Sequence, residues 1–302
     1  MKKEKKKMDI KKLMTEHRNE RTMNLDELST EDFVTVMNDE DRLVPEAIAH
    51  EKKVIANVID TVIEAFKNGG RLFYIGAGTS GRLGVLDAAE CVPTFGVSRD
   101  IVIGLIAGGS KATTEAIEGA EDNLKLAEAD LKGHLLTEKD VVIGLAASGR
   151  TPYVIGGLKY AKAVGAKTAA LACVKDSEIG DVADIAIEIE EVGPEILTGS
   201  TRLKSGTAQK LVLNMISTGA MVGIGKVYEN LMVDVKPTNN KLKQRALNII
   251  SEIVEVPIEK SEQLFHEARD NVKTAIVMGL HNISYSEATK RLEKADGFIR
   301  NT

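Results

Sequence analysis

The sequence predicts an α/β protein: a three-layer αβα sandwich on a five-stranded parallel sheet, with N-terminal helices ahead of it and a small helical C-terminal domain behind. Three observations carry this. Five short apolar runs, at residues 72–75, 101–106, 141–146, 168–173 and 185–189, are continuous rather than alternating, as in strands buried on both faces. Helical stretches or glycine turns separate the runs, as crossovers between parallel strands require. The text on both sides of this block has helical spacing, and 302 residues, 43% of them hydrophobic, suffice for one large core and a smaller one.

Residues 1–12 form a basic tail, Lys2 to Lys7 in particular, whose plainest state is solvated. Residues 13–49 are an N-terminal helical segment. Ser29 or Thr30 can cap a helix starting at Glu31 and Asp32, with Phe33, Val36 and Met37 on one face. A second helix carries Ile48, Val54, Ile55, Val58, Ile59, Val62, Ile63 and Phe66 and stops at Asn68-Gly69-Gly70. The sandwich takes residues 50–236. Past Lys236-Pro237, residues 237–302 read as one helix over 242–254, a break starting at Pro257, and short helices over 261–268, 272–279 and 284–292.

The chain has 40 Lys and Arg against 45 Asp and Glu. The first twelve residues hold seven Lys and two acids, so the body beyond them is acidic, which argues against nucleic acid or an anionic membrane as partner. An anionic ligand must then be held by local geometry. No apolar run is long enough to span a membrane, and the N-terminal lysines precede no apolar export signal, so a cytoplasmic protein is expected. Cys91 and Cys173 lie in or beside apolar segments without C-x-x-C spacing and are expected to be reduced, buried thiols. The five histidines show no zinc spacing, and no metal site is expected.

The first strand runs into Gly76-Ala77-Gly78-Thr79-Ser80-Gly81-Arg82-Leu83-Gly84. Here Gly78 and Gly81 let the backbone approach an anion, Thr79 and Ser80 supply hydroxyls, and a helix N-terminus follows, so a phosphate fits. The pattern lacks the Lys of a Walker loop and the acidic partner of a dinucleotide fingerprint. A tight turn that merely uses glycine is the plainer reading of the same residues. A second such turn, Ser148-Gly149-Arg150-Thr151-Pro152, follows the third strand, with Pro152 suited to a first helical turn, Thr151 to its cap, and Arg150 to a carboxylate or phosphate. Both turns lie at strand carboxyl ends, where open α/β sheets bind ligands. A third cluster, Thr198-Gly199-Ser200-Thr201-Arg202, precedes a helix starting near Leu203; Ser200 and Thr201 can complete a sugar-phosphate site or simply cap that helix. Glu90, near the end of the first helix and just before Pro93, and Glu121, after the second strand, are not singled out by composition or spacing, because an isolated Glu usually marks a solvated face. Pro93 is expected to end its helix close to Glu90.

The stretch 76–96 closely resembles the signature of the N-acetylmuramic acid 6-phosphate etherase family, within the sugar isomerase (SIS) domain group. Thr15-Glu16-His17-Arg18-Asn19, Asn38-Asp39-Glu40-Asp41, Glu118-Gly119-Ala120-Glu121-Asp122 and Gly193-Pro194-Glu195 with the residues up to Lys210 agree, so the match covers nearly all the chain past the tail. The resemblance implies that residues 50–236 are an SIS sugar-phosphate-binding domain. It also implies an intracellular, homodimeric lyase of cell-wall sugar recycling that splits the lactyl ether of N-acetylmuramate 6-phosphate into N-acetylglucosamine 6-phosphate and D-lactate, without metal or redox cofactor. The family's two catalytic glutamates fall on Glu90 and Glu121. Such chemistry needs a base at C2 and an acid at the C3 oxygen; Glu121 is expected as the base, and Glu90, protonated in apolar surroundings, as the proton donor. The rival readings are an aldose–ketose isomerase acting on a sugar phosphate, which needs no acid at C3, and a non-catalytic sugar-phosphate sensor.

Overall fold

A computed structural model of the chain describes residues 14–235 and 240–302; the Lys2–Lys7 tail and the Lys236-Pro237 boundary lie outside the described residues. The chain divides into two compact units, one of Met1–Asp87 with Ile103–Ile216, the other of Ala88–Val102 with Ser217–Thr302.

The first unit opens with three single 3-10 turns, at Met14–Glu16, Glu20–Thr22 and Leu25–Glu27. Helix α1 (Thr30–Asp41) follows, and Ser29 is its cap, its side chain accepting from Asp32 N. Of the face carrying Phe33, Val36 and Met37, Val36 and Met37 are half-buried and Phe33 is exposed, and Glu40 is the buried residue of α1. The single second helix predicted over residues 48–66 is two, α2 (Leu43–His50) and α3 (Lys52–Lys67), broken at Glu51. The break lets α2 bury Val44, Ala47 and Ile48 while α3 separately buries Ile55, Val58, Val62 and Ala65. Helix α3 closes where Asn68-Gly69-Gly70 turns back, with Gly70 N bonded to Ala65 O at 2.8 Å.

Then come β1 (Leu72–Gly76), α4 (Gly78–Phe95), β2 (Val102–Ile106), α5 (Leu126–Gly133), β3 (Val141–Leu145), α6 (Pro152–Val164), β4 (Lys167–Ala172), α7 (Glu178–Val182), β5 (Ile185–Glu188) and α8 (Lys204–Gly223). The five strands form one parallel sheet in the order β2-β1-β3-β4-β5, with Gly76 level with Leu145 and Leu145 level with Leu171. The three central strands have both faces buried, as their continuous apolar runs require. Phe73, Ile75, Val142 and Ala170 pack with Tyr153, Val154 and Leu158 of α6 and with Ala127 and Leu131 of α5. On the opposite face, Gly84 of α4 sits so close to Tyr74 that a Cβ there would be 2.9 Å from the Tyr74 Cβ. This is the predicted three-layer sandwich.

The N-terminal turns are tied to the segment before α8. Gly199 N bonds to Thr15 O (3.0 Å), and Thr22 Oγ1 donates to Ile196 O (2.8 Å). Buried Glu40 accepts from Lys204 Nζ and from Asn19 Nδ2, both at 2.8 Å, and lies 3.0 Å from an Arg21 nitrogen. Burial alone pushes the Glu40 carboxyl up, but the bonds from Lys204 and Asn19 outweigh it and hold the group below the ordinary carboxylate range.

The second unit holds a short hairpin, β6 (Val227–Tyr228) with β7 (Leu231–Met232), and helices α9 (Asn240–Val254), α10 (Ile258–Glu267), α11 (Val272–His281) and α12 (Tyr285–Lys294). Asn271 and Ser284 cap α11 and α12 through their side chains, and Pro257 stands directly before α10, which starts earlier than expected. Val235, Leu247, Ile250, Phe265, Ile276 and Leu292 belong to one core. Within it, Lys273 bonds to Asp234 Oδ2 and Gly225 O, each at 2.8 Å; burial lowers the Lys273 ammonium's pKa against the pull of Asp234.

Candidate active site

In the sheet order, β1 leads to β2 on one side and β3 leads to β4 on the other, so the chain reverses direction between β1 and β3. A crevice opens outside the carboxyl ends of the strands at such a switch point, and ligands of open α/β sheets bind there. The two loops that flank it are the ones the sequence singled out, after Gly76 and after Leu145.

In the first loop, Gly78 is exposed, Thr79 half-buried and Ser80 buried. The N–H groups of Gly78, Thr79 and Ser80 precede the first intrahelical bond of α4, from Gly81 N to Ala77 O (3.1 Å). Ser80 Oγ is bonded to the amide Oε1 of Gln209 in α8 at 2.8 Å. Gly81 has another task than expected. Its N–H is spent within the helix, and a Cβ on it would come 2.6 Å from Ile106 Cγ1, so it seats α4 on the sheet.

Beside this helix start lies a cavity of about 230 Å³ lined by Gly78, Arg82, Glu115, Glu118 and Glu121 among others. Arg82 holds the wall of the cavity through Nε to Thr113 O (3.0 Å) and a terminal nitrogen to Glu115 O (3.1 Å). Glu121 is exposed on its lining, and its carbonyl accepts from Tyr153 N (2.9 Å) in the first turn of α6. The base candidate and the first glycine loop thus share one cavity.

The loop after β3 borders a different concavity, of about 190 Å³, lined by Ser148, Arg150, Ser177, Glu178 and Glu190 among others. Arg150 is paired with Glu178 at 3.0 Å. Gly149 has φ +70°, and a Cβ there would be 2.4 Å from the Ser177 Cβ, so glycine is required for close packing. Thr151 stands at the N-cap of α6 with Pro152 following, as predicted, but its hydroxyl makes no capping bond.

At the third cluster, Ser200 and Thr201 are half-buried, but their hydroxyls do not cap α8. Glu195, completely buried, does so. Its carboxylate accepts from Lys204 N (2.8 Å), Ser205 N (2.9 Å) and Ser205 Oγ (2.7 Å). Gly206 N and Thr207 N bond to Thr201 O and Leu203 O, so the first N–H groups of α8 are all used within the chain. Gly206 brings α8 near the first loop, since its Cβ position is 3.5 Å from Thr79 Cγ2. Gln209, Glu195 and Arg82 were not chosen from sequence; the Glu at the head of a Ser/Thr-rich helix start was the available signal for Glu195.

Glu90 corrects two expectations. Pro93 does not end its helix: α4 continues to Phe95, and Gly96 N still bonds to Val92 O at 3.0 Å. A proline near a helix end removes one bond without stopping the remaining turn. Nor is Glu90 enclosed by apolar residues; it is exposed.

Both cysteines are buried and neither is in a disulfide, and burial pushes the Cys173 thiol up to about 12. Among the described residues, no helix is long and apolar enough to cross a membrane.

Residues 54–162 match the family model of the glucokinase regulatory protein N-terminal SIS domain. The chain is 62% identical over 295 residues to the N-acetylmuramic acid 6-phosphate etherase of Oenococcus oeni, covering 98% of this chain and 99% of that one. It is 60% identical over 291 residues to the protein of the same name in Exiguobacterium sp., covering 96% and 99%. Among solved structures, a phosphoheptose isomerase from Francisella tularensis superposes with a TM-score of 0.51 at 14% identity over 65% of this chain and all of that chain, a likeness of fold.

Proposed function

The chain belongs to the N-acetylmuramic acid 6-phosphate etherases, and from that premise we propose how its residues divide the reaction. The enzyme releases D-lactate from N-acetylmuramic acid 6-phosphate and leaves N-acetylglucosamine 6-phosphate, a step of peptidoglycan amino-sugar recycling. In the open-chain sugar, the C1 aldehyde acidifies the C2 proton. Glu121 takes that proton, the C3–O bond breaks toward oxygen, and Glu90 protonates the departing lactate oxygen, leaving a C2–C3 double bond. Water then adds: Glu90 removes its proton as hydroxide joins C3, and Glu121 returns a proton to C2.

One observation carries this reading. Glu121 and Gly78, at the start of α4, line the same cavity, which lies beyond the carboxyl ends of β1 and β2. The open N–H groups there, with Thr79 and Ser80, hold the phosphate, as helix N-termini hold anions. Ser148 and Thr151 at the neighbouring strand end contribute hydroxyls, Gly149 shapes their loop, and Ser200 and Thr201 close the site through side chains alone. Gly81 supports the loop from behind, and Arg150 acts through Glu178 or turns from it to the ligand.

The active form is a homodimer in the cytoplasm. Exposed Phe33 and Val34 on α1, with Met23 and Leu197, supply apolar surface for a second copy, and buried thiols outside any disulfide suit a reducing compartment. Residues 50–236 act as the SIS domain and residues 237–302 as a separate helical domain. The decisive measurement uses Gln in place of each glutamate. Glu121→Gln is expected to abolish C2 deuterium exchange, and Glu90→Gln to stop lactate release; either process at the parent rate refutes that residue's role.

A further inference from the structure

Gln209 is completely buried in α8, and its Nε2 has no hydrogen-bond partner among the described residues, although its Oε1 lies 2.8 Å from Ser80 Oγ. Buried amide donors are normally paired. The oxygen and nitrogen of such an amide exchange places by a half-turn of the last side-chain torsion, and the two orientations treat Ser80 differently. With Oε1 against Oγ, Ser80 spends its single hydrogen inward and shows only lone pairs to an arriving phosphate, whose oxygens are acceptors. With Nε2 against Oγ, the amide donates, one orphaned N–H is satisfied, and the Ser80 hydrogen is free to point outward.

We infer that Gln209 is a positioning residue that sets the hydrogen-bond direction of Ser80, turning from acceptor to donor when a phosphate monoester binds. This rests on the reading of Ser80 as a phosphate contact. The result is a chain of aligned hydrogen bonds, Gln209 to Ser80 to phosphate, and such chains strengthen their members. The base under Gln209 is fixed, because Glu195 clamps the first turn of α8 through Lys204 N and Ser205 N. No exposed surface lets Gln209 trade this bond for bulk water.

The test compares Gln209→Glu, Gln209→Met and Ser80→Ala, measuring KM and kcat with phosphorylated and unphosphorylated N-acetylmuramic acid, and the inhibition constant of inorganic phosphate. A carboxylate at 209 captures the Ser80 hydrogen whichever way it turns. Gln209→Glu should therefore raise KM for the phosphorylated sugar and the phosphate inhibition constant by about ten- to a hundredfold, the weight of one charge-assisted hydrogen bond, with a smaller change in kcat. Gln209→Met, similar in length but unable to accept, leaves the hydroxyl free and should cost only about threefold. In a Ser80→Ala background most of the Gln209→Glu effect should vanish. Equal effects of Glu and Met, or a Gln209→Glu effect undiminished by Ser80→Ala, would overturn the inference. If Ser80→Ala leaves phosphate inhibition unmoved, the phosphate reading itself fails, a separate outcome. In the unaltered enzyme, the Gln209 side-chain amide ¹⁵N–¹H signals should shift on adding phosphate; signals that stay fixed while phosphate inhibits also overturn it.

Discussion

Helices α4 and α8 start in the same unit, each after a Gly-, Ser- and Thr-rich segment, and the sequence offers both as places for an anion. At α8 the place is taken. Glu195 occupies the backbone N–H groups, and Glu40 occupies the ammonium of Lys204, the first residue of the helix. At α4 the loop supplies no such carboxylate, and the first residues are glycine and small hydroxyls. A filled helix start stabilises the fold; an unfilled one is free to hold a ligand. A hydroxyl-rich helix start is open to an anion only where none of the chain's own carboxylates bonds its first N–H groups.

The largest effect is expected at Lys204. Lys204→Met leaves the buried Glu40 carboxylate short of its cation and should lower unfolding free energy by about 3–5 kcal/mol in denaturant titrations; a loss under about 1 kcal/mol would show that Arg21 and Asn19 suffice. Next, Glu195→Ala empties the α8 start, orphaning Lys204 N, Ser205 N and the Ser205 hydroxyl, and should cost about 2–4 kcal/mol. Acetate, small enough for the space left, should restore part of the lost melting temperature, and a variant indifferent to acetate speaks against an emptied anion site.

Acid sharpens the same contrast. The Glu40 carboxyl sits below its ordinary value of 4.5 in the folded protein. The stability it contributes is complete above that value and is lost as pH falls through the lower folded one. Melting temperature should accordingly drop more steeply below pH 4.5 in the parent protein than in Glu40→Gln.

The reverse manipulation is to fill α4. Gly78→Asp adds a Cβ that meets nothing within 4 Å, in a left-handed conformation that Asp tolerates. It should raise KM for the phosphorylated sugar by about tenfold while changing stability by less than about 1 kcal/mol. The smallest effect is expected at Arg150, whose ion pair with Glu178 is partly exposed. Arg150→Ala should cost at most about 1 kcal/mol of stability, and a larger loss would give that pair a structural weight its exposure does not suggest.

The strands were legible because both faces of a central parallel strand are buried, which writes a continuous apolar run such as Val141-Val142-Ile143. Helices α11 and α12 were legible as helical stretches over 272–279 and 284–292, and the structure adds Asn271 and Ser284 as their caps. The break at Glu51 was not, since neither Gly nor Pro marks it and tertiary burial on two directions decides it. The hairpin of β6 and β7 is too short for any periodicity. The glycine loops announced themselves through residue type. Glu90 and Glu121 are exposed acids like many others, and only a family resemblance distinguishes them. Gln209 was hidden because its meaning depends on Ser80, 129 residues away, and local spacing carries no trace of such a partner.

That distance also bears on synthesis. A nascent chain that has emerged through β5 possesses every strand of the sheet, yet Glu40 awaits a cation 164 residues downstream and Ser80 an amide 129 residues downstream. The glycine loop after β1 leaves the ribosome well before its partner in α8 and is completed only with it. Until α8 emerges, Glu40 has Arg21 and Asn19 beside it but not Lys204, and Ser80 lacks Gln209.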